Sequence, residues 1–171
     1  MSGETRDGSI RPNQILAVSL FHSMLSGEKA RAVVAVVERD LLTPYGLRSL
    51  APSDGKYRGR YEGDPHSRDS AYHQGTVWPW LMGPFLTGYL KVNDRSAKAR
   101  KQAAEWLTET RRFIQDEGVG QIPEVFDGDA PRRPGGCLAQ AWSVAESLRL
   151  SVEEIQAVEP GRQVAAVVAA S

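Results

Sequence analysis

Apolar residues recur at helical spacing along most of the chain, and each such run predicts a helix. Between residues 12 and 25 they lie three or four positions apart behind an Arg-Pro start. Proline suits the first turn of a helix, where N–H groups have no intrahelical partner. Ser26 is expected to cap a second helix. One face of that helix is formed by Ala30, Val33, Val34, Val37 and Leu41. Together the two runs predict a helical hairpin.

Two further hairpins are indicated downstream. Residues 75–92 are apolar on nearly all sides, which predicts a buried helix that is kinked or restarted at Pro79 or Pro84. Residues 94–117 alternate charged and apolar positions and predict an amphipathic helix. Its inward positions are expected to be Ala97, Ala104, Leu107 and Ile114. Residues 136–150 predict the inner helix of a third hairpin, and Ser151 is expected to cap a short polar helix after it.

The segment between the first and second hairpins predicts an ordered loop. Residues 43–73 carry repeated glycine and proline turn signals, with no sustained helical or strand pattern. Four tyrosines in the region argue against disorder, because disordered segments are poor in aromatic residues. A loop of this length in a compact domain is usually functional.

The three hairpins recur at intervals of roughly sixty residues, each with an apolar inner helix and a more charged outer helix. Such repeats predict an all-α fold of the α/α toroid type, in which a six-hairpin barrel would have only about its last three hairpins in this chain. The expected organisation is an N-terminal extension at 1–10, a toroid portion at 11–150, and a short helix and tail at 151–171. In this arrangement the long loops lie at one end of the ring.

Composition narrows the classes of function. The 21 basic and 21 acidic residues cancel, so the broad positive field that nucleic-acid binding needs is absent. Cys137 is the single cysteine, which excludes an intrachain disulfide and a cysteine-built zinc site, and we expect it to be a small buried residue. The N-terminus lacks an apolar signal core and the C-terminal VAAVVAA is too short to cross a bilayer, so a soluble, cytoplasmic chain without a membrane partner is predicted. Scattered Asp and His residues without ligand spacing predict no metal and no cofactor.

Polar and aromatic residues gather in the loops that precede the predicted inner helices. Aromatic faces beside carboxylates and amides suit a sugar, whose C–H groups pack on rings and whose hydroxyls form hydrogen bonds. A carbohydrate-binding cleft is therefore the hypothesis. The alternatives are that Trp78 or Trp80, taken singly, is more often a core residue, and that a lone loop glutamate such as Glu124 is usually a solvated surface residue. The candidates are Arg11, Asn13, Arg60, Tyr61, Asp64, Tyr72, His73, Gln74, Trp78, Trp80, Glu124, Asp127, Asp129, Gln140 and Trp142.

Four segments, in order, resemble one known family. They are RPNQILAVSL, LLTPYGLRSLAPSDGKYRGRYEGDP, YHQGTVWPWLMGPF and IPEVFDGDAPRRPGGCLAQAWSVAESL. Together they look like the C-terminal part of the bacterial and archaeal glycogen debranching enzymes, the amylo-α-1,6-glucosidase family. The resemblance runs from about residue 11 to residue 148 and includes long loops. The loop Glu followed by Trp-Ser at the start of an inner helix is also similar to glucoamylases.

This resemblance implies inverting hydrolysis of an α-1,6-glucosidic branch point in glycogen or a related α-glucan, with one carboxylic acid and one carboxylate base. Glu124 matches the position of the family's base, whereas the family's general acid lies upstream of the matched region. The chain would then be a fragment, the product of a split gene, or a subunit completed by a second chain. The alternative is a non-catalytic helical module that binds glycan or pairs with another protein.

Overall fold

The computed structural model describes residues 7–156 and is built mainly from helices, which confirms the mainly α class. The arrangement of these helices as part of an α/α toroid stays a prediction. A 3₁₀ turn, Pro12–Ile15, leads into the short helix α1, Leu16–Ser19, and a second 3₁₀ turn, Pro79–Leu81, leads into α4. The remaining helices are α2 (Gly27–Leu41), α3 (Pro65–Tyr72), α4 (Met82–Val92), α5 (Ala97–Trp106), α6 (Thr108–Asp116) and α7 (Ala141–Arg149).

Helix α4 lies at the centre of the core. It contacts α1, α2, α5 and α7, and its Phe85, Leu86 and Leu90 are wholly buried. The face predicted for α2 is largely confirmed, since Ala30, Val34, Val37 and Leu41 are buried and Val33 is half-buried. The all-round apolar character of residues 82–92 thus reflects a helix covered on several sides.

A narrow antiparallel ribbon of five short strands connects the loops. Its strands are β1 (Leu42–Thr43), β2 (Gly46–Arg48), β3 (Val77–Trp78), β4 (Val125–Phe126) and β5 (Pro134–Gly135), and they pair in chain order. Leu47 is paired with both Leu42 and Trp78, and Val77 is paired with Phe126. The sequence did not predict this ribbon, because strands of two or three residues are too short to show an alternating pattern.

The first helix ends earlier than predicted, at Ser19 and not near residue 25. Beyond it Leu20 is extended, and polar side chains take over the carbonyl groups that a longer helix would use. The Ser23 hydroxyl donates to the carbonyls of Val18 and Leu20, and the Lys91 ammonium donates to the same two carbonyls. Because the Ser23 and Lys91 side chains donate to these carbonyls, the helix ends without leaving them unpaired.

The predicted loop at 43–73 contains the end of β1, all of β2 and helix α3, so the prediction of a loop without helix or strand was wrong in part. Asp64 caps α3 by accepting a hydrogen bond from the Ser67 N–H at 2.8 Å, and Pro65 occupies the first turn. A helix-start signal was therefore present in the Asp-Pro pair. The helix was missed because its polar sequence has no apolar stripe.

The single helix predicted over 94–117 is two helices, α5 and α6, which meet at Leu107. Ser96 caps α5, accepting from the Ala99 N–H at 3.3 Å. This start sets the helix face differently from the prediction, so Ala97 is exposed and Ala104 is half-buried. The buried positions of the two helices and their junction are Ala99, Ala103, Leu107, Thr110 and Phe113.

The last predicted helix also has different limits. Helix α7 begins at Ala141, after the irregular residues 136–140, and continues through a π-helical turn, Leu150–Ile155. Ser151 does not cap a new helix, because its hydroxyl donates back to the Ser147 carbonyl at 2.9 Å. The tail predicted beyond residue 156 and most of the N-terminal extension lie outside the described residues. Within residues 7–156, no helix combines the length and apolar character that crossing a bilayer would require.

Candidate active site

A cavity of about 530 Å³ opens where the loops before the inner helices meet. It lies between the first 3₁₀ turn, the end of α3, the Trp78–Leu81 segment and the start of α7. Most of the sequence-predicted candidates line it, namely Arg11, Asn13, Tyr72, His73, Trp78, Trp80, Glu124, Gln140 and Trp142. Sequence reasoning missed Pro12, Ser49 and Leu81, whose types carry no chemical signal of a site.

Glu124 directly precedes β4 and is held on both its backbone and its side chain. Its N–H donates to the Cys137 carbonyl at 2.8 Å, and its Oε2 accepts from the Cys137 N–H at 3.0 Å. Its Oε1 accepts a hydrogen bond from the Tyr72 hydroxyl. The carboxylate is half-buried at the cavity wall, with one donor on each oxygen. Such a group has a fixed direction and keeps lone pairs free for a further partner.

Gly136 leaves the space that the Glu124 carboxylate fills. Its φ is +70°, and a Cβ built there would lie 3.0 Å from Glu124 Cβ and closer to Glu124 Oε2 than a van der Waals contact allows. Any larger residue would displace the carboxylate, in addition to the strain of a left-handed backbone. The Gly-Gly pair at 135–136 therefore belongs to the site, although in the sequence it reads only as a turn.

The Tyr72 phenol faces Glu124 from the last residue of α3. Burial, and after it the hydrogen bond to Glu124, raises the pKa of Tyr72 well above its ordinary value, so the hydroxyl remains a proton donor at neutral pH. The ring packs against Trp78, His73 and Tyr61 at centroid distances of 4.7, 4.8 and 5.7 Å. The Tyr72 carbonyl accepts from Trp78 Nε1 at 3.0 Å, which fixes this corner of the cavity.

Aromatic rings form the rest of the wall. The His73 imidazole stacks on Trp78 at 5.3 Å, and Trp80 and Trp142 lie 5.8 Å apart. Trp78 is only 6% exposed, in keeping with a core role, whereas 49% of Trp142 is exposed. Trp142 therefore offers the larger free ring surface for the C–H face of a sugar.

Arg11 braces the entrance. Its guanidinium donates to the carbonyls of His73 and Ser49 at 2.8 and 3.2 Å, and to Gln74 Oε1 at 2.9 Å. It thereby joins the first 3₁₀ turn to the end of α3. Gln74 itself does not line the cavity, and the hydrogen bond to Arg11 accounts for its side-chain oxygen.

Asp127 lies behind the cavity and ties two loops together. The residue is 3% exposed, and its carboxylate accepts from the Tyr61 N–H at 2.8 Å, from Arg60 at 3.2 Å and from Arg133 at 3.3 Å. These bonds fasten the loop at 60–61 to the segment that follows β4.

The other predicted residues also lie outside the cavity lining. Arg60 donates to the Ala130 carbonyl as well as to Asp127, and the Tyr61 ring packs on Tyr72. Asp64 is exposed and caps α3. Asp129 is exposed and accepts from the Tyr57 hydroxyl at 2.9 Å.

Cys137 is exposed and its backbone lies against Glu124, so the expectation that it is buried was wrong. Its contribution to the site comes from its backbone, which exchanges hydrogen bonds with Glu124 in both directions. Residue type does not reveal such a role. In the part of the chain that the structure describes, no cluster of three His, Cys, Asp or Glu side chains could hold a metal ion.

Comparison with known proteins adds an independent observation. The family model described as amylo-alpha-1,6-glucosidase matches residues 1–149. The glycogen debranching enzyme of Saccharomyces cerevisiae (strain ATCC 204508 / S288c) is 33% identical over 158 residues, which covers 81% of this chain. The chain spans only 10% of the length of that relative.

Proposed function

Because the chain belongs to the amylo-alpha-1,6-glucosidase family, we propose that its cavity binds a branched α-glucan and that Glu124 is the general base of α-1,6-glucosidic hydrolysis. One observation carries the proposal. The Glu124 carboxylate lines a cavity whose wall contains tryptophans, and each of its two oxygens accepts one hydrogen bond from the protein. A carboxylate held in this way is suited to orienting a water molecule toward a glucose unit bound in the cavity.

The proposed reaction is inverting hydrolysis. Glu124 accepts a proton from water while the water oxygen bonds to the anomeric carbon, and the bond from that carbon to the leaving oxygen breaks as a carboxylic acid protonates the leaving oxygen. The reaction requires two carboxyl groups and water, and no metal or organic cofactor. General-base assistance of this kind typically contributes about 10²–10⁴-fold in rate.

The general acid is proposed to come from outside the described cavity. An inverting pair stands about 6.5–9.5 Å apart to admit the water. Among residues 7–156, Glu124 is the one carboxylate that lines the cavity. The acid would then be supplied by an upstream part of a longer protein or by a second chain, consistent with a chain that spans a tenth of its relative.

We propose that the glucose units contact the exposed part of the wall. The free surface of Trp142 would pack on a sugar face, while Asn13, His73 and Gln140 would form hydrogen bonds to hydroxyls. Residues behind the wall, such as Asp127 and Arg60, would act by holding the loops in place.

The test compares Glu124→Gln with Asp127→Asn and Asp129→Asn in an assembly that contains the upstream carboxylic acid. Glu124→Gln should retain isomaltose binding and lose about 10²–10⁴-fold in turnover of a branched maltooligosaccharide, because an amide cannot accept the proton. Asp129→Asn serves as the matched control and should retain turnover. Near-normal turnover in Glu124→Gln, with collapse in either aspartate variant, would move the base to an aspartate.

A second candidate is a non-catalytic module that binds glycan or pairs with another protein. The exposed face of α7 and its continuation favours it, since Trp142, Leu148 and Val152 are 49%, 62% and 56% exposed. Exposed apolar surface of this kind is typical of interaction sites. We predict that the isolated chain self-associates in sedimentation, and that Leu148→Asp weakens this. A monodisperse monomer would count against pairing. Isomaltose binding without turnover in the restored assembly would favour the module over the enzyme.

A further inference from the structure

We infer that Tyr72 is a positioning residue that fixes the orientation of the Glu124 carboxylate. The sequence had suggested that Tyr72 contacts the sugar directly. The inference rests on the proposed function of Glu124 as base, and it concerns how that base is aimed.

Two donors from separate elements determine the carboxylate plane. The Tyr72 hydroxyl, at the end of α3, bonds to Oε1, and the Cys137 N–H, between β5 and α7, bonds to Oε2 at 3.0 Å. A glutamate has several rotatable side-chain bonds, and each bond that rotates freely lowers the fraction of carboxylates in the reactive orientation. With only one donor remaining, the carboxylate could pivot about that oxygen. The pair of donors is therefore what selects a single orientation.

Tyr72 is itself immobilised, as a positioning group must be. Its carbonyl accepts from Trp78 Nε1 and from the Thr76 hydroxyl, and its ring packs edge to face on Trp78 at 4.7 Å. Tyr61 and His73 cover further parts of the ring. Little aromatic surface is left for a sugar, and the hydroxyl proton is committed to Glu124.

The protonation state of Tyr72 supports the same role. Burial, followed by the hydrogen bond and charge of Glu124, raises the pKa of the phenol. Tyr72 therefore keeps its proton, and with it a donor to Oε1, at neutral pH.

The first experiment uses Tyr72→Phe, which keeps the ring and removes only the hydroxyl. With the upstream acid present, we expect kcat for a branched maltooligosaccharide to fall by about 10–100-fold, since misplacement of a catalytic group by 1 Å can cost about 10²-fold. KM should stay within about twofold. Trp142→Ala is the contrasting variant, in which loss of a sugar contact should raise KM. A raised KM with unchanged kcat in Tyr72→Phe would overturn the inference.

The second experiment needs no turnover. In the full chain at neutral pH, ¹³C NMR of labelled tyrosine should show a changed Cζ chemical shift for Tyr72 in Glu124→Gln, because the hydroxyl no longer donates to a charged carboxylate. Tyr57, which bonds to Asp129, is the internal control and should not change. Isomaltose affinity of Tyr72→Phe should stay within about twofold of wild type. An unchanged Tyr72 Cζ shift, or a tenfold loss of affinity, would overturn the inference.

The two experiments separate this inference from the proposed function. Full turnover in Glu124→Gln would refute the base assignment, whereas the Tyr72 Cζ shift would still report whether the two side chains are hydrogen-bonded. Loss of turnover in Glu124→Gln together with wild-type kcat in Tyr72→Phe would support the base and refute the positioning role.

Discussion

Replacement of Gly136 by alanine should damage the proposed active site more than the backbone strain alone explains. Gly136 has a φ of +70°, and an added Cβ would meet the Glu124 carboxylate. Gly120 offers a matched control, because its φ is +79° and a Cβ there would have nothing within 4 Å. The comparison of the two alanine variants isolates the collision with Glu124 from the cost of a left-handed residue.

The expected magnitudes follow from these two sites. A left-handed alanine costs about 1–2 kcal/mol, which applies to both variants. At Gly136 the Glu124 carboxylate must also move away from the Cys137 N–H, and a charge-assisted hydrogen bond is worth about 1.5–3 kcal/mol. With about 3 °C of melting temperature per kcal/mol for a domain of this size, Gly120→Ala should melt about 4 °C lower than wild type and Gly136→Ala about 10 °C lower.

Thermal unfolding followed by circular dichroism measures the difference. The double variant Gly136→Ala/Glu124→Ala should melt only about as far below Glu124→Ala as Gly120→Ala melts below wild type, because the obstructing carboxylate and its hydrogen bond to Cys137 are already absent. Melting temperatures that are equal for Gly120→Ala and Gly136→Ala would refute the placement of the carboxylate against Gly136. An excess that persists in the double variant would assign the cost to a different neighbour.

Three further outcomes are expected. Asp127→Ala should lower the free energy of unfolding by about 2–3 kcal/mol, which is less than for a fully buried pair because both arginine partners are partly exposed. Asp129→Ala should lower it by under about 1 kcal/mol, so equal losses in urea unfolding would contradict the role of Asp127. Trp106→Ala removes packing against the rings of Phe85 and Tyr89 and should destabilise the fold without weakening isomaltose binding, whereas His73→Ala should weaken binding; the reverse order in folded variants would contradict the site. Cys137, the single thiol of the chain, is exposed and should react stoichiometrically with Ellman's reagent in the native chain, and isomaltose should slow the reaction. An unreactive thiol would show that Cys137 is covered.

The long helices were predictable from the sequence because burial imposes a period on their residues. Helix α2 lies where the apolar pattern indicated, since it packs a defined surface into the core. Helix α4 fills only the second part of the predicted range 75–92, because Val77–Trp78 form strand β3 and Pro79–Leu81 form a 3₁₀ turn. Helix α3 has no such surface and was missed despite its Asp64 cap. The end of α1 depends on Lys91, about seventy positions away, and no local pattern contains that contact.

The candidate site was predictable in residue type and much less so in arrangement. Aromatic and polar residues in the loops before inner helices do meet around one cavity. The partners of the two acids, however, could not be read from the sequence. Asp127 bonds to the Tyr61 backbone across the ribbon, and Glu124 depends on the Cys137 backbone, whose N–H any residue other than proline could provide.

The ribbon of five short strands limits where the chain can change in length. Each strand contributes only two or three paired residues, so a one-residue insertion between Leu42 and Arg48 leaves no alternative register and would turn Trp78 or its neighbours to the wrong face. The exposed turn at 52–56 lies outside the ribbon and is free of this constraint. Natural length variation and engineered loop grafts should therefore concentrate at 52–56, while the spacing from β4 to β5, which sets the distance between Glu124 and Cys137, stays constant.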